Sequence, residues 1–412
     1  MPELFLHYIW LRKAFMPYLQ HTTFGQPVEV INTGIYNTDA GPDFSAATIR
    51  IGGMMWTGNV EMHVRASDWY RHHHDKDKSY DNVILHVVAV ADKQVFNSRG
   101  EAIAQCELQF AHTDEQLHRF LTHRREMCTA TLSNNHELLT DNWKHSLLID
   151  RMRRKAEDIK LLLAMTNNSW EDSFYITLAH NFGFHTNGLP FEMVAKQTPL
   201  TFLRKHRQSL FQLEAMLLGQ SGLLPKLGNL PQREQLMHEY EFLQRKFSLA
   251  GIDPQMWKYL RMRPQNFPEV RLRQFAALIH KNESLFSYFV IDSTSGTLKT
   301  LREKFDIKND AETDIPAIGK SSQDVLLINS VVPYMYAYGE SINDKNLIGR
   351  SFELLADIPA EKNHVTEDWK TYGFSISNAA DSQTFLHLTE QYCCQDRCYD
   401  CEIGYHIFSI RN

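Results

Sequence analysis

The sequence predicts an α+β protein: an α/β-like N-terminal mixed sheet in the order helix, strand, strand, strand, helix, strand, followed by a mainly α-helical region. Two patterns and the chain length argue for it. In the N-terminal part, apolar residues alternate with polar ones or run together in short stretches bounded by glycine, as strands require. From residue 138 onward they recur at spacings of three and four, the period of helices. At 412 residues the chain is also longer than one hydrophobic core usually serves. We therefore expect a mixed-sheet domain over 1–125, a helical domain over 126–305 and a helical C-terminal region over 306–412 that ends in a cysteine cluster.

The opening helix is expected over 2–15, with Leu4, Ile9, Leu11 and Phe15 as apolar positions behind Pro2. Val28 to Ile31 and Phe44 to Ile51 read as strands, and Gly52-Gly53 turns the chain into a third, Met54 to Val64. In that strand Val60, Met62 and Val64 alternate with Glu61, His63 and Arg65, so Glu61 and His63 project side by side from the polar face. Ser67 or Asp68 can cap a short helix through Trp69 and His72-His73-His74. The apolar run Val83 to Ala91 suits a buried central strand. Gln94 to Phe96 and Ala102 to Phe110 are expected to add a hairpin around Ser98-Arg99-Gly100. Helices are expected at Trp143–Ala164, Trp170–Asn181, Leu200–Leu218, Gln232–Leu249, Val270–His280 and Val325–Tyr338, with a polar loop over Lys304 to Asp324.

A net charge of −6 excludes a global basic field, so a nucleic-acid partner would need a local basic groove. Hydrophobic residues at 43% and charged residues at 22% fit a folded globular chain. The N-terminus mixes Glu, His and Arg into its apolar residues, unlike a signal peptide, and no stretch is long and apolar enough for a membrane span. We expect a cytoplasmic protein with no membrane partner. In a reducing compartment, crowded cysteines point to metal before disulfides.

The chemistry is expected at Gly41-Pro42-Asp43 and, 17 residues on, Glu61-Met62-His63. A turn places Asp43 at the start of one strand and Glu61 on its hairpin partner, where two carboxylates repel unless a proton or cation lies between them. A divalent ion there can acidify a bound water and stabilise charge on a phosphoryl group. The pattern resembles the PD-(D/E)xK nuclease superfamily, in which Pro-Asp opens the second strand of a restriction-endonuclease-like core and (D/E)xK lies on the third. The resemblance implies Mg2+ or Mn2+ on Asp43 and Glu61, and Glu3 in the place of the superfamily's helical glutamate. His63 stands where that superfamily has lysine, so it would act as a substituted base or charge stabiliser, or activity has been lost.

Other donors lie nearby. His74, Asp77 and Tyr80 share one face if the segment is helical, and with His86 they could make a site richer in imidazole, suited to zinc, manganese or iron. The bland readings are a solvated helix face for His72-His73-His74 and a core histidine for His86. At the C-terminus, Cys393, Cys398 and Cys401 supply three thiolates for Zn2+ or an iron–sulfur cluster, with Cys128, Cys106 or His406 as the fourth ligand and buried free thiols as the alternative. Some nucleases of the resembled superfamily fasten the C-terminus with such a cluster, which favours Cys128 as partner.

Basic runs at Arg151 to Lys155, Arg204 to Arg207 and Arg261 to Arg273 could track DNA or RNA phosphates, with Trp257, Tyr259 and Phe267 for stacking. A solvated charge run is the simpler reading.

Across the chain, the segment from Asn37 to Phe44, the Gly58-x-Val60-Glu61-x-His63 strand, Ser67-Asp68-Trp69, Asn181-Phe182-Gly183-Phe184 and Cys398-x2-Cys401-x-Ile403-Gly404 resemble an uncharacterised bacterial family, DUF2851. That resemblance implies no activity. Three functions therefore stand: a metal-dependent nuclease or nuclease-derived nucleic-acid-binding protein using Asp43, Glu61 and His63; a non-enzymatic structural or interaction protein with a fold-stabilising metal; and a zinc-type hydrolase of a small substrate, if His63, His74 and His86 converge.

Overall fold

The computed structural model describes residues 3–11, 13, 15, 19–37, 41–109, 128, 130–132, 139–228, 232–307, 315–395 and 397–409. Asp39 and Ala40 of the turn motif and Phe110 of the expected hairpin lie outside them. The chain forms two units, Met1–Thr140 with Thr389–Asn412, and Asp141–Leu388. This differs from the three sequence segments over 1–125, 126–305 and 306–412, because the cysteine-bearing tail joins the sheet unit and the rest of the last segment joins the helices.

In the sheet unit, helix α1 (Glu3–Leu11) precedes strands β1 (Gln20–His21), β2 (Pro27–Asn32), β3 (Ile35–Tyr36), β4 (Phe44–Ile51) and β5 (Met54–Arg65). Helix α2 (Asp68–Arg71) leads to β6 (Val83–Val90) and β7 (Gln105–Glu107). The sheet runs β1-β2-β4-β5-β6-β7, with β3 also pairing β4. β2, β4 and β5 form an antiparallel meander, and β6 then lies parallel to β5, with Glu61 opposite His86 and His63 opposite Val88. The hairpin expected after β6 reduces to a single bridge, Phe96 to Ala102, because Gln105–Glu107 pairs in parallel with β6 instead.

Alternation explains the sheet's two faces. Val60 and Met62 point into a core with Phe5, Leu6, Ile9 and Trp10 of α1, while Trp69, Tyr80 and Val88 make a second cluster with Val83, Val95 and Ile103. Gly58 is required where β6 meets β5: a Cβ there would lie 2.4 Å from Ile84 Cγ2 and 3.0 Å from the Asn82 carbonyl.

The helical unit opens with Asp141–Met165 and Trp170–Phe182, close to expectation. The expected helix over Leu200–Leu218 is two, Leu200–Lys205 and Leu210–Gln220, because Ser209 caps the second by accepting the Gln212 N–H at 3.3 Å. A π-helical turn, Leu327–Val331, precedes Val332–Ile342. Helices at Phe184–Gln197, which holds Pro190, and Lys345–Asp357 were not among those expected. No helix among the described residues is long and apolar enough to cross a membrane.

Candidate metal centre

Asp43 and Glu61 meet at the end of the β4–β5 pair. The Asp43 N–H donates to Glu61 Oε2 at 3.1 Å, and the Met62 N–H donates to Asp43 Oδ2 at 2.9 Å. Each carboxylate thus keeps one oxygen for something else. Glu61 Oε1 faces imidazoles: His74 Nε2 at 3.2 Å and His63 Nε2 at 3.7 Å. His63 Nε2 also lies 3.1 Å from His72 Nδ1. A ligand atom from each of His63, His72 and His74 lies within 4.8 Å of the other two.

The backbone explains why His72 and His74 converge. The run was expected to lie on one helix, but α2 ends at Arg71 and His73 adopts left-handed φ +64°, reversing the chain before a tight turn at His74–Lys76. On either side of this reversal His74 is buried and His72, though exposed, brings Nδ1 to the His63 ring, while His73 is exposed and outside the group. Asp77, expected beside His74, sits in solvent instead and accepts from the Ser79 N–H at 2.9 Å as the cap of the next turn. Tyr80, across that turn, stacks on the His74 ring with centroids 3.7 Å apart.

Behind these donors lies a rigid wall. Trp69, fully buried, sets its ring against His63, His74 and His86, and its N–H donates to the Phe96 carbonyl at 3.0 Å. His86 is buried in β6, with Nε2 at 2.9 Å from Nδ1 of His63. That contact leaves His63 Nε2 toward the cluster, the arrangement by which a partner behind a ligating imidazole fixes its tautomer and orientation. His86 is therefore placed behind His63, and His72 takes the position foreseen for it. The site opens to solvent at His72.

Burial sets the electrostatics of the cluster. Burial and then Asp43 push the Glu61 carboxyl up to about 9. Burial, with His86 next, holds His63 neutral, down to about 2, and burial similarly lowers His86 to about 3. Neutral imidazoles and a carboxylate are groups that can ligate a divalent ion. Glu3 is half-buried on α1, and its carboxyl is raised by burial and then by Asp43, which places it in the same field. His7, one turn further along α1, points Nε2 at Asp43 Oδ2, 3.2 Å away.

Sequence reasoning missed two of these donors. His7 had a signal in its i+4 spacing from Glu3, and His72 in its position two before His74.

The cysteines behave differently. Cys401 is buried and Cys393 and Cys394 are exposed; Cys398 and Cys128 are half-buried, and Cys106 lies inside the sheet core. The histidine group is the set of three donors sharing a point among the described residues, and no cysteine belongs to it.

In the helical unit, the basic runs are largely tied to partners: Arg204 pairs with Glu171, Arg273 with Glu214, Arg154 with Asp158, and Arg151 donates to Gln383. Trp257 is buried, donating to the Ser221 carbonyl at 2.8 Å, so it presents no face for stacking. Tyr259 packs edge-on to Phe267 and donates to Glu269 at 3.1 Å. A cavity of about 410 Å³ in this unit is lined by Lys155, His180, Glu192 and Lys196 among others, but Glu192 accepts from both His180 and Lys196.

Residues 3–364 match the family described as Protein of unknown function (DUF2851), and the chain belongs to that family. No curated protein and no solved structure matches it.

Proposed function

We propose that this chain is a metal-dependent hydrolase whose divalent ion is held by His63 Nε2, His72 Nδ1 and His74 Nε2, with Glu61 Oε1 beside it and a coordination position left open for water. One observation carries the reading: a ligand atom from each of the three histidines lies within 4.8 Å of the other two, with His63 Nε2 3.1 Å from His72 Nδ1, while Glu61 Oε1 lies 3.2 Å from His74 Nε2 and 3.7 Å from His63 Nε2. Ligands roughly 2.0–2.1 Å from a tetrahedral ion are separated by about 3.3 Å. Imidazoles with one carboxylate favour zinc, manganese or iron over magnesium. Such an ion would supply an acidified water and stabilise charge on the reacting oxygen. Around it, Trp69 and Tyr80 exclude water from one side, His86 orients His63, and exposed His72 marks the substrate's approach.

A phosphodiester is the bond this centre fits first. Asp43 opens β4 after Pro42, Glu61 lies on its partner strand, and an antiparallel meander followed by a helix and a parallel strand is the order that the nuclease resemblance implies. The donor set departs from that resemblance: histidines fill the space where a lysine and a magnesium ion would work, which moves the reading from a magnesium nuclease toward a transition-metal hydrolase.

The test is metal analysis of purified protein with hydrolysis assays on bis(p-nitrophenyl) phosphate, DNA, RNA and p-nitrophenyl acetate, comparing wild type with His74→Asn and Glu61→Gln. We expect bound transition metal and phosphodiester cleavage, both lost in folded variants. Bound metal with no hydrolysis of any substrate would favour a fold-stabilising ion, and protein that takes up no metal would end the proposal.

A further inference from the structure

The cavity of about 410 Å³ in the helical unit lies among helices Asp141–Met165, Trp170–Phe182 and Phe184–Gln197 and the π-helical turn Leu327–Val331. We propose that it binds an aliphatic carboxylic acid that carries a hydroxyl group on its chain. The site is built from residues of this unit alone and does not depend on the metal centre.

The apolar walls define the body of the ligand. Ile159, Leu162, Ile176 and Pro333 line the cavity, and Leu161 and Met165 border it while 69% and 71% exposed. One exposed apolar side chain is ordinary, but these two stand one helical turn apart beside the same cavity, where a bound chain would cover them. Among the described residues no aromatic ring lines it, so a nucleobase would find no platform for stacking, whereas an aliphatic chain meets walls of its own kind. On the first of these helices the lining runs from Lys155 to Met165, about 15 Å at 1.5 Å per residue, so the occupant is elongated. A cation stands at one end of that run and a thioether at the other.

The polar walls define its two functional groups. Glu192 Oε1 lies 2.6 Å from Lys196 Nζ, and Glu192 Oε2 lies 2.8 Å from His180 Nδ1. This shared carboxylate fixes both heads at the wall without exhausting them, because an ammonium has three donors and Lys196 spends one here. Gly188 permits the arrangement: a Cβ there would lie 2.8 Å from His180 Nε2, so the imidazole rests directly against that backbone. Lys155 lines the same cavity, and Asp158 beside it pairs with Arg154 at 3.6 Å. Such a wall suits a carboxylate. Asn181 supplies the second contact. Its Nδ2 donates to the Thr177 and Asn329 carbonyls at 3.0 and 3.1 Å and to the Ser330 hydroxyl at 3.0 Å, which fixes the orientation of the amide. Asn329 and Ser330 belong to the π-helical turn, a feature frequent at functional sites. With Nδ2 engaged, Oδ1 has no protein partner among the described residues and is left to accept from a ligand. A hydroxyl meets that need better than an ammonium, which Lys155 and Lys196 would repel.

Calorimetric titration of full-length protein with 3-hydroxydecanoate, decanoate and 1,3-decanediol, each below its micellar range, tests this. We expect one-to-one binding of 3-hydroxydecanoate, with decanoate, which lacks the donor, and the diol, which lacks the charge, each weaker by roughly three- to tenfold. Lys196→Gln should weaken both acids and leave the diol unchanged. Met165→Glu alters an exposed position that the fold does not need, and should weaken all three by about tenfold or more. Chelator-treated protein should bind equally well, so a failure of the hydrolase reading would leave this site standing. Absence of binding, or binding that neither substitution alters, would overturn the site. Equal affinity for decanoate and 3-hydroxydecanoate would overturn the hydroxyl's part in it, and adenosine 5′-monophosphate bound in preference to the acids, and weakened by Lys196→Gln, would overturn the acid in favour of a nucleotide.

Discussion

The histidine–carboxylate centre and the C-terminal cysteine run carry similar promise as letters and differ as structures. The cysteines have ligand spacing, yet among the described residues their sulfurs share no point with two other donors, and one is buried while two are exposed. The histidines have poorer spacing, drawn from β5, the end of α2 and the turn beyond it, yet their nitrogens converge within 4.8 Å. Spacing along a chain places ligands only when the backbone between them is local and regular. Here the convergent site is built by a sheet register and one left-handed residue.

The sharpest way to break this contrast is to remove metal. An ion present at a thousand times its dissociation constant stabilises the fold by about 4 kcal/mol. We expect thermal unfolding of the purified protein to fall markedly on chelation and to recover with Zn2+ or Mn2+. His74→Asn should abolish that recovery, and Cys398→Ser should preserve it. If Cys398→Ser abolished it and His74→Asn did not, the contrast would be inverted and the cysteine tail would be the metal site.

A smaller effect separates donors from their supports. His86 touches no proposed ion but stands behind His63, 2.9 Å away. Replacing it with Phe keeps the buried volume and removes the nitrogen that orients His63. Partners of this kind usually contribute 10- to 100-fold in metal affinity. Competition titration with a chromophoric chelator should show that loss with the stoichiometry unchanged; an unchanged affinity would make His86 a plain core residue.

The sheet around this centre was legible and part of the centre was not. β4 and β5 follow from alternation and from Gly52-Gly53, which sets their register next to the turn, so Asp43 and Glu61 were foreseen as neighbours on paired strands, although the register shifts between Ala47 and Phe44, close to the site. β6 was plain from its apolar run. What failed was any judgement that needed the path between elements. A helical period through His72-His73-His74 cannot put the outer two at one point, and nothing in the letters announces that His73 leaves that period. His7 sits among the apolar residues of α1 that face the core, which hid its nitrogen. The return of the tail to the sheet unit is a non-local contact without a sequence period.

The smallest effect tests the turn itself. A residue in the left-handed region costs roughly 1–2 kcal/mol unless it is glycine, with His, Asn and Asp the better tolerated exceptions. Because His73 is exposed and contributes no donor, its backbone is what the site uses. His73→Gly removes the Cβ clash but frees the unfolded chain, so the two effects oppose one another and stability should change by less than about 1 kcal/mol. His73→Val adds a β-branch where that conformation is least tolerated, and should cost about 1–2 kcal/mol. If the reversal sets the site, His73→Val also weakens metal binding and His73→Gly does not, as read by urea denaturation and the same chelator competition. Equal metal affinity in both would mean that Trp69 and Tyr80 alone hold His74 in place, and that the convergence survives without the turn.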